Sequence, residues 1–467
     1  MNSQRIANLL TFLQKATTLY PASQTYIVGG AVRDFYLNGN DIFDAEDIDL
    51  ATSLLPQEIE AIAKASGFEF QTQGAAFLVS VVKKDGFSFE VATFRKERGY
   101  EDRRHPTEVV AAQTVEEDAA RRDFTINAIY WDPMTSTLMD PVGGVRDATR
   151  KILRAIGDPS ERFIEDPIRI LRLFRFQAQY NLQISPWTLY TAREIYKGMN
   201  LLQVPERIWK ELSKLVVAPF ASRVIFQEEL FTAIFFPFLE EMKTLSGRNE
   251  YHPEDNVLEH THYVFENAQI ASFPIDEGDL PLLLAALYHD AAKPATRAEN
   301  THGGYSFHGH EEKSAMEASI GLLLLGAPPE LVDNVVWIIE HHLDIKRLSE
   351  MRRSKVKRLY EHSMFDQLIN LGACDNHGGS QGPDYDFLDG VYDFLDTIPE
   401  GALTSRGRPK LISGDDLIAL GYAPSPSFRI MLEAAEEFEL YNPDATKQDV
   451  LNVAIWAKEM PDASPTS

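Results

Sequence analysis

Hydrophobic and polar positions change their period along the chain. The opening stretch "MNSQRIANLLTFLQKATTLYP" mixes apolar and polar residues with a helical spacing and predicts an amphipathic helix that ends before Pro21. "TYIVGG" predicts a strand running into a turn, and "AVRDFYL" a helix after it. "DIDLAT" and "FLVSVVKKDGFSFEVATFR" predict strands, the second a hairpin that turns at Asp85 and Gly86. "FRKERGYEDRRHPTEV", from Phe94 to Val109, is dense in charge, contains Gly99 and Pro106, and is expected to be a mobile loop. Strand signals fade after about Lys151. From Ile164 to Ser467 the pattern is mainly helical, punctuated by Pro186, Pro205, Pro253 and Pro294. "FPIDEGDLP" and "THGGYSFHGH" are expected loops, "TSRGRPK" opens a last segment, and "PDASPTS" is an expected frayed tail. The longest apolar runs, such as "LPLLLAALYHD", are too short to span a bilayer, so no membrane partner is expected.

Composition narrows the class. At 467 residues and 44% hydrophobic positions, the chain has room for several cores and three or four domains. The balance of 45 Lys+Arg against 70 Asp+Glu, a net charge of -25, argues against a protein that coats DNA. It leaves room for a local basic groove that binds RNA. Cys374 is the single cysteine, which excludes a disulfide framework or a cysteine-based zinc site within one chain and fits a reducing, cytoplasmic location. The N-terminal stretch lacks the apolar centre of a signal peptide.

The first candidate chemistry lies between Tyr26 and Leu50. A strand that ends in Gly29-Gly30 and starts a helix brings backbone N–H groups toward an anion, and glycine leaves room for a phosphate. Arg33, one turn on, is placed to reach the same phosphate. A Gly-Gly turn alone is more often an ordinary turn. Asp47 and Asp49 shift the balance, because residues i and i+2 of a strand share a face and two such carboxylates repel unless a cation sits between them. Mg2+ ions held there activate an attacking hydroxyl and stabilise a triphosphate's leaving oxygens. Glu90, on a later strand, is a candidate third catalytic carboxylate or an ordinary outward glutamate.

"VGGAVRD", "DIDLAT", "RRDFTINAIYWDP" and "EDPIRILRLFRF", in this order over roughly the first 215 residues, together resemble the class II tRNA nucleotidyltransferases. These are the CCA-adding enzymes, whose motifs bacterial poly(A) polymerases share. The resemblance implies an α/β polymerase-β-like nucleotidyltransferase head with a mixed sheet, followed by an all-α neck, body and tail. It implies that Arg122 holds the triphosphate or ribose, and that Asp123 and Asn127 shape the nucleotide pocket. Without the resemblance, Arg122 beside Asp123 is also a common salt bridge, and Asp118 the start of a helix whose Phe124, Ile126 and Ile129 follow into the core.

In "EDPIRILRLFRFQAQY", Pro167 suits a helix's first turn, with Glu165 and Asp166 at its positive end. Asp166 and Arg169 are expected as i, i+3 neighbours on one face, with Arg172 and Arg175 continuing the spacing. By resemblance, Asp166 and Arg169 read the Watson–Crick edge of the incoming base, Arg172 and Arg175 also contact the nucleotide, and Glu206 and Arg207 belong to the neck. Arg95, Arg98, Arg103 and Arg104 of the charged loop are candidates to grip phosphates. Poly(A) polymerases of this group carry a basic stretch after the acid pair; "TQGAAFLVSVV", Thr72 to Val82, lacks it, which favours CCA addition.

The middle of the chain carries a second constellation. His260 and His262, the doublet His289-Asp290, His308 and His310, His341 and His342, and Asp375 gather most of the 12 histidines. A His-Asp doublet after a buried apolar helix, with outlying His and Asp partners, points to metal. The pattern resembles an HD domain. By position, His260, His289, Asp290 and Asp375 are the implied ligands of a divalent metal, with His310 and His341 accessory. The implied chemistry is metal-assisted attack of water on a phosphoester such as a 2′,3′-cyclic phosphate. A helical RNA-binding body that merely retains these residues is the rival.

These readings combine into residues 1–150 as the head, 151–245 as a helical neck, 246–395 as an HD-type body and 396–467 as a helical tail. The expected activity is addition of C, C and A to tRNA from CTP and ATP with Mg2+. The alternatives are a poly(A) polymerase, an HD-type phosphohydrolase with a nucleotide-binding head, and a non-catalytic RNA-binding protein. No sequence feature specifies an oligomeric state.

Overall fold

The computed structural model describes residues 2–72, 78–98, 108–197, 204–243, 245, 256–299, 305–376, 382–398, 403, 411–442 and 444–459. The chain forms two compact units, Met1–Phe236 and Pro237–Ser467. Arg103, Arg104, Gly99 and Pro106, the stretch 73–77, "TSRGRPK" and the terminal "PDASPTS" lie outside the described residues.

The first unit opens with helix α1 (Asn2–Leu19), which ends before Pro21 as its pattern predicts and buries Leu9, Phe12, Leu13 and Ala16. Strand β1 (Thr25–Val28) leads through Gly29 into α2 (Gly30–Asn38). Then come β2 (Asp49–Thr52), α3 (Pro56–Ser66), β3 (Glu69–Thr72), β4 (Val79–Lys84) and β5 (Phe87–Thr93). The β4–β5 turn is at Asp85 and Gly86, both at positive φ (52° and 80°), which gives the twist a two-residue hairpin needs. After β6 (Arg95–Arg98), β7 (Glu108–Ala111) and α4 (Val115–Ala120), strands β8 (Tyr130–Asp132) and β9 (Thr137–Met139) complete a seven-stranded sheet ordered β3-β4-β5-β2-β1-β8-β9. It is mixed: β2 and β5 run parallel, and the other neighbours are antiparallel.

The charged stretch expected to be a loop is ordered at both ends. Arg95–Arg98 pairs antiparallel with Glu108–Ala111, so backbone pairing overrides the high charge that made the segment look like loop. Helix α5 (Gly144–Thr149) packs under Thr125–Asn127, and a Cβ on Gly144 would fall 2.2 Å from the Thr125 carbonyl oxygen, so only glycine fits.

Helices α6 (Pro159–Glu165), α7 (Ile168–Tyr180), α8 (Pro186–Tyr196), α9 (Pro205–Val216), α10 (Ala221–Gln227) and α11 (Glu229–Phe235) follow. Helix α7 buries Ile170, Leu171, Phe174 and Phe176, while Arg169, Arg172 and Arg175, spaced by three, form a polar stripe. Helix α9 buries Ile208, Leu212, Leu215 and Val216 and packs against α7.

The second unit is almost entirely helical: α12 (Phe238–Met242), α13 (Val257–Ala271), α14 (Leu280–Tyr288), α15 (Lys293–Thr296), α16 (His310–Leu324), α17 (Pro329–Ile345), α18 (Arg353–Tyr360), α19 (Phe365–Asn376) and α20 (Tyr385–Asp396). Every residue of α14 is buried, as an all-apolar helix must be. Each of its leucines stabilises the unit by about 2 kcal/mol. Its C-terminal end therefore delivers His289 and Asp290 into the interior, surrounded by α13, α16, α17 and α19. Three last helices, α21 (Gly414–Ala419), α22 (Ser427–Tyr441) and α23 (Lys447–Glu459), share a small core of Leu417, Met431, Ala435, Val450 and Ala454. No described helix is long and apolar enough to cross a membrane.

Candidate functional sites

The acid pair sits where the sheet's topology changes. Asp49 begins β2, opposite Val28 of β1 on one side and Glu90 of the parallel β5 on the other. Asp47 lies just ahead of the strand, and Ile48 between the two acids is buried, so both carboxylates emerge on the same side. Asp47, Asp49 and Glu90 line one cavity of about 320 Å³ with Gln71, Val81, Lys83 and Ser88. Desolvation and the neighbouring Glu90 and Asp47, against the pull of Arg122 and Arg33, push the Asp49 carboxyl up to about 6. A carboxylate held at that cost, at the mouth of an acid-lined cavity, fits a divalent cation.

Gly29 has φ +81° and caps α2, a conformation closed to most L-residues. A Cβ there would lie 3.5 Å from Asp49 Oδ2, which places the glycine turn directly beside the acid. Gly30 is the first residue of α2, so the helix's unpaired N–H groups start at this turn. Arg33 is held from three sides: Nε donates to Asp34 (2.9 Å), Nη1 to Asn127 Oδ1 (3.1 Å) and Nη2 to the Tyr180 hydroxyl (2.5 Å). Its guanidinium also lies 5.1 Å and 4.8 Å from the ring centroids of Phe176 and Tyr180.

From Asn127 a polar chain runs into helices α7 and α9. Asp123 Oδ1 accepts from Asn127 Nδ2 (3.0 Å), and its Oδ2 accepts twice from Arg172 (2.7 and 3.0 Å). Arg172 also donates to Glu211 (3.1 Å), whose other oxygen takes Arg175 Nε at 2.6 Å. Burial opposes the charge on Asp123, but Arg172 and Asn127 hold its carboxyl well below the usual range. Arg33, Arg172 and Arg175 surround the Phe176 ring at 4.0–5.4 Å. Arg122 belongs to a second network: Asp118, 1% exposed, accepts from Arg121, from Arg122 and from the Tyr130 hydroxyl (2.8 Å). Asp118, expected at a helix start, lies inside α4 and holds two arginines and a tyrosine. Tyr130, Tyr180 and Glu211 belong to these networks too, and nothing in their local sequence marks them.

Asp166 and Arg169 do not form a pair on one helix face. Pro167 disfavours helical geometry at the preceding residue, and Asp166 is extended (φ −146°, ψ 101°) between α6 and α7. Its Oδ1 caps α7 through Ile168 N (3.2 Å), and its Oδ2 takes Arg207 at 2.6 Å. Arg169 turns to Glu165 (2.9 Å) and the Arg121 carbonyl (3.1 Å). Glu206 is exposed at the start of α9.

The second unit brings His260, His289, Asp290 and Asp375 together as expected. His260 Nε2 is 2.9 Å from Asp375 Oδ1 and 3.7 Å from Asp290 Oδ2, and His289 Nε2 is 3.3 Å from Asp290 Oδ2. All four are buried. His289 Nε2 and Asp290 Oδ2 make no hydrogen bond among the described residues, although Lys293 Nζ lies 2.6 Å from the latter. Lys346 Nζ is 2.7 Å from Asp375 Oδ2. Burial alone would raise Asp290, but His289, Lys293 and His310 bring it well below its ordinary value. An imidazole nitrogen without a hydrogen bond, among convergent imidazoles and carboxylates, fits a divalent metal.

His310 joins this cluster, its Nε2 3.2 Å from Asp290 Oδ1, but His341 does not. The neighbour His342 points inward, because it continues the buried stripe Val335, Ile338, Ile339 and Ile345 of α17, a periodicity readable in the sequence. His341 faces away, packing on Trp337 (4.9 Å), which in turn stacks on His362. His262 pairs with Glu266 on α13, and His308 is exposed. A cavity of about 460 Å³ opens onto His260 and His310 and is lined also by Lys293, Arg347, Tyr305 and Phe307.

Comparison with known proteins follows the same division. Residues 25–154 match the family described as "Poly A polymerase head domain", and residues 257–367 match "HD domain". The "Multifunctional CCA protein" of Stenotrophomonas maltophilia strain R551-3 is 33% identical over 359 residues, 75% of this chain and 80% of that protein. The "CCA-adding enzyme" of Anoxybacillus flavithermus is 40% identical over 223 residues, 47% of this chain, so the match spans about half of that enzyme's length (53%). Among solved structures, the Bacillus stearothermophilus CCA-adding enzyme in complex with CTP is 23% identical with a TM-score of 0.61, covering 97% of this chain and 98% of that one. A CCA-adding enzyme in complex with ATP is 19% identical with a TM-score of 0.59, over 97% and 96%. At these identities the structures establish a common fold.

Proposed function

The chain belongs to the family of CCA-adding enzymes, the tRNA nucleotidyltransferases, and on that premise we propose that it adds C, C and A to tRNA 3′ ends from CTP and ATP, without a nucleic-acid template and with release of pyrophosphate. The observation that carries this reading is the convergence of Asp47, Asp49 and Glu90 on one cavity beside the Gly29 turn. Asp47 and Asp49, with Glu90 across the strand, would hold Mg2+, which when bound supplies activation of the tRNA 3′-hydroxyl and stabilisation of charge on the triphosphate. The N–H groups at the start of α2, with Arg33 and Arg122, bind the triphosphate. Asp123, Asn127, Arg172 and Arg175 hold the nucleotide pocket in shape. Asp166 accepts and Arg169 donates, which matches the amino group and ring nitrogen that cytosine and adenine both present. Uracil and guanine place a carbonyl and an N–H there and leave buried groups unpaired. Arg207 orients the Asp166 carboxylate, and Glu165 the Arg169 guanidinium. On this reading the chain divides into a head (1–150), neck (151–245), HD-type body (246–395) and tail (396–467).

The test is incorporation into a tRNA ending at its discriminator base, with CTP and ATP supplied singly and together and the products sequenced. Addition that stops at CCA is expected. A long adenosine tail from ATP alone would instead identify a poly(A) polymerase, and addition of only CC or only A a partial enzyme.

A second activity is favoured by the convergence of His260, His289 and Asp290 in the interior, their ligand atoms within 4.8 Å of one another. We propose that His260, His289, Asp290 and Asp375 hold a divalent metal that assists hydrolysis of a phosphoester, such as a 2′,3′-cyclic phosphate. Lys293 and Arg347 supply cations for the phosphate, and Tyr305 and Phe307 supply ring faces. Hydrolysis is expected to survive Asp47→Ala and to be lost in Asp290→Ala. Absence of hydrolysis with Mn2+, Ni2+ and Mg2+ across several phosphoesters would refute it.

A further inference from the structure

We propose that Arg5 of α1 is a positioning residue for the head site: it fixes the stretch of main chain that presents Asp47. This rests on the reading of Asp47, Asp49 and Glu90 as the carboxylates that hold Mg2+. It extends that reading to a helix ahead of residues 25–154, the part matched to the head-domain family.

The three carboxylates are not held alike. Asp49 lies in β2, paired with Val28 on one side and Glu90 on the other, and Glu90 lies in β5 between Asp49 and Val81. The ladder of the sheet fixes the backbone of both. Asp47 stands outside that ladder. Residues 45–48 belong to no helix or strand and connect the short turn Ile42–Asp44 to β2. The Asp47 side chain is exposed, so burial does not hold it either.

Arg5 supplies what the ladder does not. It is 9% exposed, on the helix face that buries Leu9, Phe12 and Leu13. Its Nη1 donates to the Ala45 carbonyl, and its Nη2 donates to the Glu46 carbonyl at 2.7 Å. A guanidinium is planar and rigid, so two of its nitrogens fix the relative orientation of the two carbonyls they hold. The Glu46 carbonyl lies in the peptide plane that carries the Asp47 nitrogen, and fixing that plane fixes where the Asp47 side chain starts. Both nitrogens are spent on main-chain oxygens rather than on a carboxylate, and burying a guanidinium is costly unless its donors are met. One turn on, Asn8 (3% exposed) donates to the Lys84 carbonyl (3.4 Å) and to Asp85 Oδ2 (3.2 Å) in the β4–β5 turn. The sheet already fixes the strands of that hairpin, so the loss of Asn8 measures what the attachment of α1 contributes by itself.

The test compares Arg5→Met, Arg5→Lys, Asn8→Ala and Asp47→Asn in the full chain. Addition to tRNA is measured over a range of Mg2+, CTP and ATP concentrations. Mn2+ binding to the nucleotide-free protein is followed by electron paramagnetic resonance, the head-site share being the part that Asp47→Asn removes. Arg5→Met is expected to raise both the Mg2+ needed for half-maximal addition and the Mn2+ dissociation constant of that share by about tenfold, and to lower kcat with KM for both nucleotides unchanged. Arg5→Lys keeps the charge without the fork and should fall between Arg5→Met and the wild type. Asn8→Ala should lower Tm and move neither metal readout. Unchanged metal dependence in Arg5→Met, with a lower Tm alone, would make Arg5 a residue of the fold and overturn the proposal. An equal shift in Asn8→Ala would overturn it too. Addition at the wild-type rate by Asp47→Asn would instead overturn the reading of the head site. If Arg5→Met fails to fold, Arg5→Lys decides by the same readouts.

Discussion

Asp49→Asn is expected to make the metal-free protein more stable while destroying nucleotide addition. The carboxyl is pushed from an ordinary 3.8 to about 6, first by desolvation and then by Glu90 and Asp47. In a dry site, 1.36 kcal/mol per pKa unit would make the penalty of ionising it about 3 kcal/mol. Asp49 faces solvent, and screening lowers this to about 1 kcal/mol. The sign follows from proton linkage. A folded value above the unfolded one means that the folded state binds the extra proton, so the group's stabilising contribution is fully present below 3.8 and is lost as pH rises through about 6. At pH 8 the wild type carries the whole penalty and the asparagine carries none. For a unit the size of Met1–Phe236, about 1 kcal/mol is a rise in Tm of about 2–4 °C. The assay is thermal unfolding of both proteins in chelator at pH 8 and pH 5, with tRNA extension measured alongside in Mg2+. The gain should shrink at pH 5, where the wild-type carboxyl is mostly protonated. An asparagine variant that is no more stable than wild type at pH 8, or whose advantage is the same at both pH values, would refute the electrostatic argument. Extension at the wild-type rate would refute the site.

Three further outcomes follow from the same geometry. Gly29→Ala must hold an L-residue at φ +81°, at a cost of about 1–2 kcal/mol, and should lower Tm and raise KM for CTP and ATP alike; an unchanged KM would dissociate the turn from the triphosphate. Glu211→Gln leaves Arg172 and Arg175 without their shared carboxylate, so a loss of about 2–4 kcal/mol in denaturant unfolding is expected, with KM rising for both nucleotides; wild-type stability would show that the pairing is idle. Arg207→Ala removes the 2.6 Å partner of Asp166 and should increase misincorporation of UTP and GTP relative to CTP and ATP, read by sequencing extended tRNA. Unchanged fidelity would mean that Arg207 does not orient the base-reading carboxylate.

Local pattern alone determined a good deal of this protein. The strand–glycine–helix turn, the Asp47/Asp49 spacing, the Asp85-Gly86 hairpin and the apolar run that delivers His289 and Asp290 are short-range features, set by dihedral preference and by period. Some misplacements were also avoidable locally. Pro167 already disfavours a helical Asp166, and the stripe through Ile338 and Ile345 already selects His342 over His341. Tertiary structure decided the rest. That Glu90 stands opposite Asp49 depends on a parallel pairing between strands some 40 residues apart, which no window of sequence encodes. Glu211, Tyr130 and Tyr180 look like ordinary helix and strand residues; only the packing of α7 on α9, the approach of β8 to Asp118 and Arg122, and the Arg33–Tyr180 bond turn them into the acids and hydroxyls that hold the arginines. Asp166 and Arg169, proposed above to read the base, show the same division. Their chemical types are legible one by one, but their partners are set by which half-buried charges find each other when the chain closes, because leaving one of them unpaired is costly.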